Sequence, residues 1–125
     1  MFNLLKATDE EVVAYADHLL ERLEHVGDLI CKETDGPFTG DRKELSKTIH
    51  EEYKELKEQF EAECEVCKRY DIYSLSKTKK NYILGIKEAT AKGFQSKVNA
   101  KHITYESVYN AMDYLKYHMK YCGTE

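Results

Sequence analysis

At 125 residues with 42% apolar side chains, the chain is the size of one domain and can bury roughly two-thirds of its extended surface without disulfide support. No run approaches the roughly 18 apolar residues a membrane-spanning helix needs, and "MFNLLKATDEE" lacks the basic start and apolar stretch of a signal peptide, so a cytoplasmic protein with no membrane partner is expected. The net charge of −4 is uneven: residues 1–66 carry 8 Lys and Arg against 18 Asp and Glu, net −10, whereas residues 67–125 carry 11 against 5, net +6.

The first element announces itself at Thr8–Glu11, where "TDEE" fits a capping box. Val12, Ala16, Leu19, Leu23, Val26 and Ile30 then recur every three or four residues, which predicts an amphipathic helix over 9–33. The "DGPFTGD" segment holds the single proline and two glycines, and reads as a turn. Asp41–Glu44 offers a second start, and Leu45, Ile49, Tyr53, Leu56, Phe60, Cys64 and Cys67 form the stripe of a helix over 41–69. Glu and Lys alternate on its outer face, so the two helices are expected to pair as an antiparallel hairpin with an acidic surface at Glu51, Glu55 and Glu58.

"DIYSLS" interrupts the pattern, and Ser74 or Ser76 can cap a third helix over 76–92 that carries Tyr82, Ile83, Ile86 and Ala89 and stops at Gly93. A poorly periodic connector leads to Thr104, which is expected to cap a fourth helix over 105–121 with the stripe Val108, Ala111, Met112, Leu115, Met119 and Cys122. No strand alternation competes. The expected fold is an all-α four-helix bundle, up-down-up-down, in one domain.

Four cysteines in an intracellular chain are more consistent with buried thiols or metal ligands than with a disulfide framework. Cys64 with Cys67, and His118 with Cys122, each share a helix face, and parallel second and fourth helices would bring both pairs to one end. That permits a tetrahedral zinc site of three cysteines and one histidine. The competing reading, buried core thiols and no cofactor, is the expectation, because the first pair is flanked by continuous helix rather than by a knuckle turn.

Complete catalytic sets are missing. The residues three positions before the five histidines are Tyr15, Arg22, Lys47, Asn99 and Leu115, none of them the glutamate a di-iron bundle needs, and "HEEYK" has Lys54 where a zinc protease needs its second histidine. Glu52 with Glu55, and Glu58 with Glu61, resemble the ExxE half of the magnesium site in MazG-type nucleotide pyrophosphohydrolases, with no ExxD downstream. That half-motif implies magnesium-dependent hydrolysis of nucleoside triphosphates as an alternative activity.

The second half combines 8 of the 10 tyrosines with nearly all of its positive charge on lysine. Tyr114, Tyr117 and Tyr121, with Lys116 and Lys120 between them, form a face displaced from the core stripe of the fourth helix, and tyrosine is enriched at interfaces. The expected function is therefore non-enzymatic and regulatory: binding a protein partner, or a second copy of the chain, through this face or through the acidic hairpin. The alternative is nucleic-acid binding by the basic, tyrosine-rich half.

Overall fold

The computed structural model describes residues 3–34, 42–97 and 100–121, and every regular element among them is helical. Four helices form the body: α1 (Asp9–Thr34), α2 (Arg42–Cys67), α3 (Lys77–Glu88) and α4 (Tyr105–Lys116). A short 3-10 turn, Ile72–Ser74, precedes α3, and wider π-helical turns, Ala89–Gly93 and Tyr117–Tyr121, extend α3 and α4. The expected boundaries hold to within two residues for α1 and α2. Asp41 and the "DGPFTGD" turn lie outside the described residues.

Local chemistry explains the starts. The Thr8 hydroxyl accepts from the Glu11 N–H at 3.1 Å while the Glu11 carboxylate accepts from the Thr8 N–H at 3.2 Å, the reciprocal capping box read from the sequence. Of the two serines proposed for α3, Ser76 is the cap: its hydroxyl accepts from the Lys79 N–H. Thr104 stands at the cap position just ahead of α4 with extended backbone, but its side chain makes no bond to the helix backbone and meets the Ser107 hydroxyl at 3.0 Å instead. Ser107 in turn accepts from the Ser96 N–H at 2.8 Å, so the entry to α4 is tied to the end of α3 rather than capped alone.

Cross-helix pairs give the directions. Glu63 on α2 meets Tyr15 on α1 while Arg42 reaches the Glu33 carbonyl, so α1 and α2 are antiparallel. Thr90 bonds the Phe60 carbonyl and Tyr82 bonds Glu63, which reverses direction again between α2 and α3. Gly85 packs on Leu115 and Gly93 on Ala111; Gly27 packs on Tyr105 while Asp17 pairs with Lys120. The bundle is therefore up-down-up-down. Every core position proposed for α1 and α2 is buried, Leu19, Leu23, Leu56 and Phe60 completely, and each such side chain contributes roughly 1.5–3 kcal/mol on removal from water. Leu4 and Ala7 add a turn ahead of α1 to this core, which the helical periodicity did not include. Among the described residues no helix is long and apolar enough to cross a membrane.

The connector between α3 and α4 is fastened from α2. His50 Nδ1 lies 2.8 Å from the Ser46 carbonyl and Nε2 lies 2.7 Å from the Ala100 carbonyl. Carbonyls only accept, so both ring nitrogens must carry protons and the clasp is made by the imidazolium. The two carbonyl contacts, Ala100 first and Ser46 second, raise the His50 pKa above its ordinary value. A raised folded-state pKa stabilises the fold fully below the unfolded value of about 6.5 and loses that contribution as pH climbs through the folded value. We expect the unfolding midpoint of the wild type to fall as pH rises above about 6.5 and that of His50→Ala to stay flatter, read by circular dichroism in urea. Parallel profiles would rule the clasp out.

Candidate binding groove and buried polar network

Helix α1 presents Asp17, Glu21, Glu24 and Asp28 along its α4-facing flank, at the four- and three-residue spacing that keeps them in one row. Opposite them α4 places Tyr105, Tyr109, Met112, Lys116 and Lys120. The two rows border adjoining hollows of about 280 Å³, around Glu21 and Lys120, and about 220 Å³, around Asp28 and Tyr105. Lys120 closes one end by pairing with Asp17 at 3.7 Å. Glu21, Glu24, Asp28 and Lys116 enter no ion pair among the described residues.

At the other end the Tyr105 and Tyr109 rings stack, with centroids 5.6 Å apart and planes 26° from parallel. Both are exposed, at 41% and 44%. Glycine at 27 lets Tyr105 approach α1 closely: a Cβ there would come 3.1 Å from the edge of the ring. Burial first, and then nearby groups that include Asp28 and Glu24, raise the Tyr105 pKa, so those carboxylates act on the ring's hydroxyl. The hydroxyl stays protonated at neutral pH.

The proposed tyrosine face is divided. Lys116 and Lys120 belong to the groove, but Tyr114 and Tyr117 lie on the other flank of α4. Tyr114 is half-buried against the core, and Tyr117 is 54% exposed with its ring edge-on to His118 at 5.4 Å. Tyr121 has a described backbone only. Glu51, Glu55 and Glu58 all sit on the solvent side of α2, where Glu51 is 4.0 Å from Lys47 and Glu55 is 3.6 Å from Arg22. That acidic face and the tyrosines of α4 do not share one surface. The acids that do face α4 come from α1, and sequence reading passed over them because periodicity alone cannot tell which flank of α1 receives a neighbour.

For the metal reading, Cys64 and Cys67 are buried on the core side of α2, while His118 on α4 points its Nε2 to within 3.3 Å of Glu88 on α3. Cys122 lies outside the described residues. Burial, then the Glu63 carboxylate and Cys64, push the Cys67 thiol up to about 12, away from the thiolate that nucleophilic chemistry requires. Among the described residues no three His, Cys, Asp or Glu side chains converge in a way that could hold a metal ion. Of the MazG-like half-motif, Glu55, Glu58 and Glu61 are exposed and Glu52 is half-buried.

One buried carboxylate escaped the sequence reading. Glu63 is 4% exposed and accepts from the Tyr15 hydroxyl at 3.0 Å and the Tyr82 hydroxyl at 3.2 Å. Gln59 donates to Tyr15 at 2.9 Å and accepts from Arg22, which carries the network to the surface beside Glu55. Burial and the Glu63 charge both raise the pKa of Tyr82, and burial raises that of Tyr15, so both remain hydrogen-bond donors. The cluster links α1, α2 and α3, which ties three helices together through one carboxylate. The chain matches no protein-family model, no curated protein and no solved structure.

Proposed function

We propose that this protein is a non-catalytic helical binding module that acts through protein–protein contact, with the α1–α4 groove as its contact surface. The observation that supports this reading is the stacked, exposed Tyr105–Tyr109 pair set beside Met112 and carboxylates that have no ion-pair partner among the described residues. Rigid aromatic surface with few rotatable bonds supplies affinity at low entropic cost, and such residues carry most of the energy at interfaces. The carboxylates of α1 stand across the groove from Lys116 and Lys120, so this flank repels a phosphate backbone and favours a protein partner over nucleic acid.

The test compares wild type, Tyr109→Ala and Tyr117→Ala as bait for partners from the source cells, with sedimentation of the pure chain to detect a second copy as the partner. Tyr109→Ala should weaken the interaction by roughly tenfold or more and Tyr117→Ala should leave it near wild type. The reverse ranking would place the contact on the other flank of α4. Tight, salt-sensitive binding to generic DNA or RNA with no protein captured would favour the nucleic-acid reading instead.

A further inference from the structure

The hollow between Gly27 and the stacked tyrosines has a chemistry of its own within the groove. Leu23 and Val108, both buried, close it from beneath, and half-buried Met112 offers it apolar surface; one wall is the Tyr105–Tyr109 pair; the rim carries Glu24 and Asp28. Two carboxylates face one ammonium, that of Lys116, which is bonded to neither of them among the described residues, so the hollow keeps a net negative charge. At about 220 Å³ it is smaller than the roughly 300–1,000 Å³ of pockets that enclose a whole drug-sized ligand. It suits a single long side chain.

Each wall selects the same kind of chain. Met112 and the tyrosine rings can take a methylene stem, and long cationic side chains bury their stems while the charged head stays at the rim. Exposed tyrosine faces attract a cation, and a planar cation can lie against them. Two carboxylates on successive turns of α1 can accept the several N–H donors of a guanidinium, which is less strongly hydrated than an ammonium and loses less on leaving water. We infer that this hollow receives an arginine side chain of the protein partner, its stem over Met112, its guanidinium against the Tyr105–Tyr109 rings and between Glu24 and Asp28. The inference rests on the α1–α4 groove being the contact surface.

The test is a nuclear magnetic resonance titration of the isotope-labelled full chain with three small probes: N-acetyl-arginine amide, its lysine counterpart, and the neutral citrulline counterpart, which keeps the planar shape without the charge. Arginine amide should shift the signals of Gly27, Asp28, Tyr105 and Tyr109 saturably in the millimolar range. The lysine probe should bind at least severalfold more weakly, and citrulline should leave those signals in place. Glu24→Gln and Tyr109→Ala, both at exposed positions, should each weaken the arginine response about fivefold or more while the rest of the spectrum stays unchanged. Equal responses to arginine and citrulline, lysine binding as tight as arginine, or shifts spread over the Glu51–Glu58 face would each overturn the assignment. Partner capture that still depends on Tyr109 alongside any of those results would reject the arginine while leaving the groove as the contact surface. Capture indifferent to Tyr109→Ala would reject the groove itself.

Discussion

Replacing Gly93 by leucine should abolish the cooperative unfolding transition of this protein, and even alanine there should cost about 3 kcal/mol, the upper end of what overpacking usually costs. A Cβ at position 93 would lie 2.5 Å from the Ala111 Cα and 2.8 Å from its nitrogen and Cβ. Two of those are backbone atoms of the facing helix and the third is the fixed Cβ of an alanine, so no rotamer change relieves the contact and α4 must move away from α3. With a total stability of roughly 5–15 kcal/mol for a domain, separating two helices exhausts much of what is available. Gly27→Ala is the control: its nearest neighbour is the edge of the Tyr105 ring at 3.1 Å, which can swing outward. That substitution should stay within about 1 kcal/mol of wild type, since relief of a mid-helix glycine offsets the tighter contact. Urea titrations followed at 222 nm would separate the two cases, and a Gly93→Ala protein as stable as wild type would show that α3 and α4 do not approach this closely.

The second large effect is expected at Glu63. Truncation to alanine removes the carboxylate that accepts from the buried Tyr82 hydroxyl and from the Tyr15 hydroxyl. Losing hydrogen bonds to a buried charged acceptor costs about 1.5–3 kcal/mol each, and loss of side-chain packing adds to it, so roughly 3 kcal/mol or more is expected. The same principle predicts a recovery: Glu63→Leu in a Tyr15→Phe, Tyr82→Phe background removes all three polar ends together and should be far less harmful than Glu63→Ala alone. If the single and the triple replacement destabilise equally, the hydroxyls do not depend on the carboxylate.

The helices were legible because their apolar positions repeat at the helical period with few breakers between them, and Thr8 with Glu11 carries a start signal that needs no tertiary context. Gly93 was legible as an end, yet its cause lay elsewhere. No described glycine has a positive φ, so the residue is required by the approach of Ala111 rather than by a left-handed turn. Glu63 was not legible, because a glutamate beside Phe60 and Cys64 looks like one more charge on a Glu-rich helix until Tyr15 and Tyr82 are brought from 48 and 19 residues away. The groove was half legible. Tyr105, Tyr109, Met112 and Lys116 have the same three- and four-residue spacing as Tyr114, Tyr117 and Tyr121, and only the docking of α1 decides which row lines a hollow.

The wide turn that closes α3, Ala89–Gly93, also sets an angular phase. A π-helical turn holds one residue more than the α-helix it interrupts, and one residue corresponds to roughly 100° of rotation about the helix axis. Everything after the turn is aimed by that extra residue. Phe94 follows directly and stands edge-on to both Tyr53, at 5.7 Å, and Phe60, at 5.1 Å. In a strictly α-helical ending the same ring would face away from α2, and Ser96, which accepts from the Tyr53 hydroxyl and ties down the start of α4, would miss its partners. The five residues Ala89–Gly93 thus act as a phase adjuster between the two halves of the chain: an insertion or deletion within them changes the aim of the aromatic plug and of α4 together.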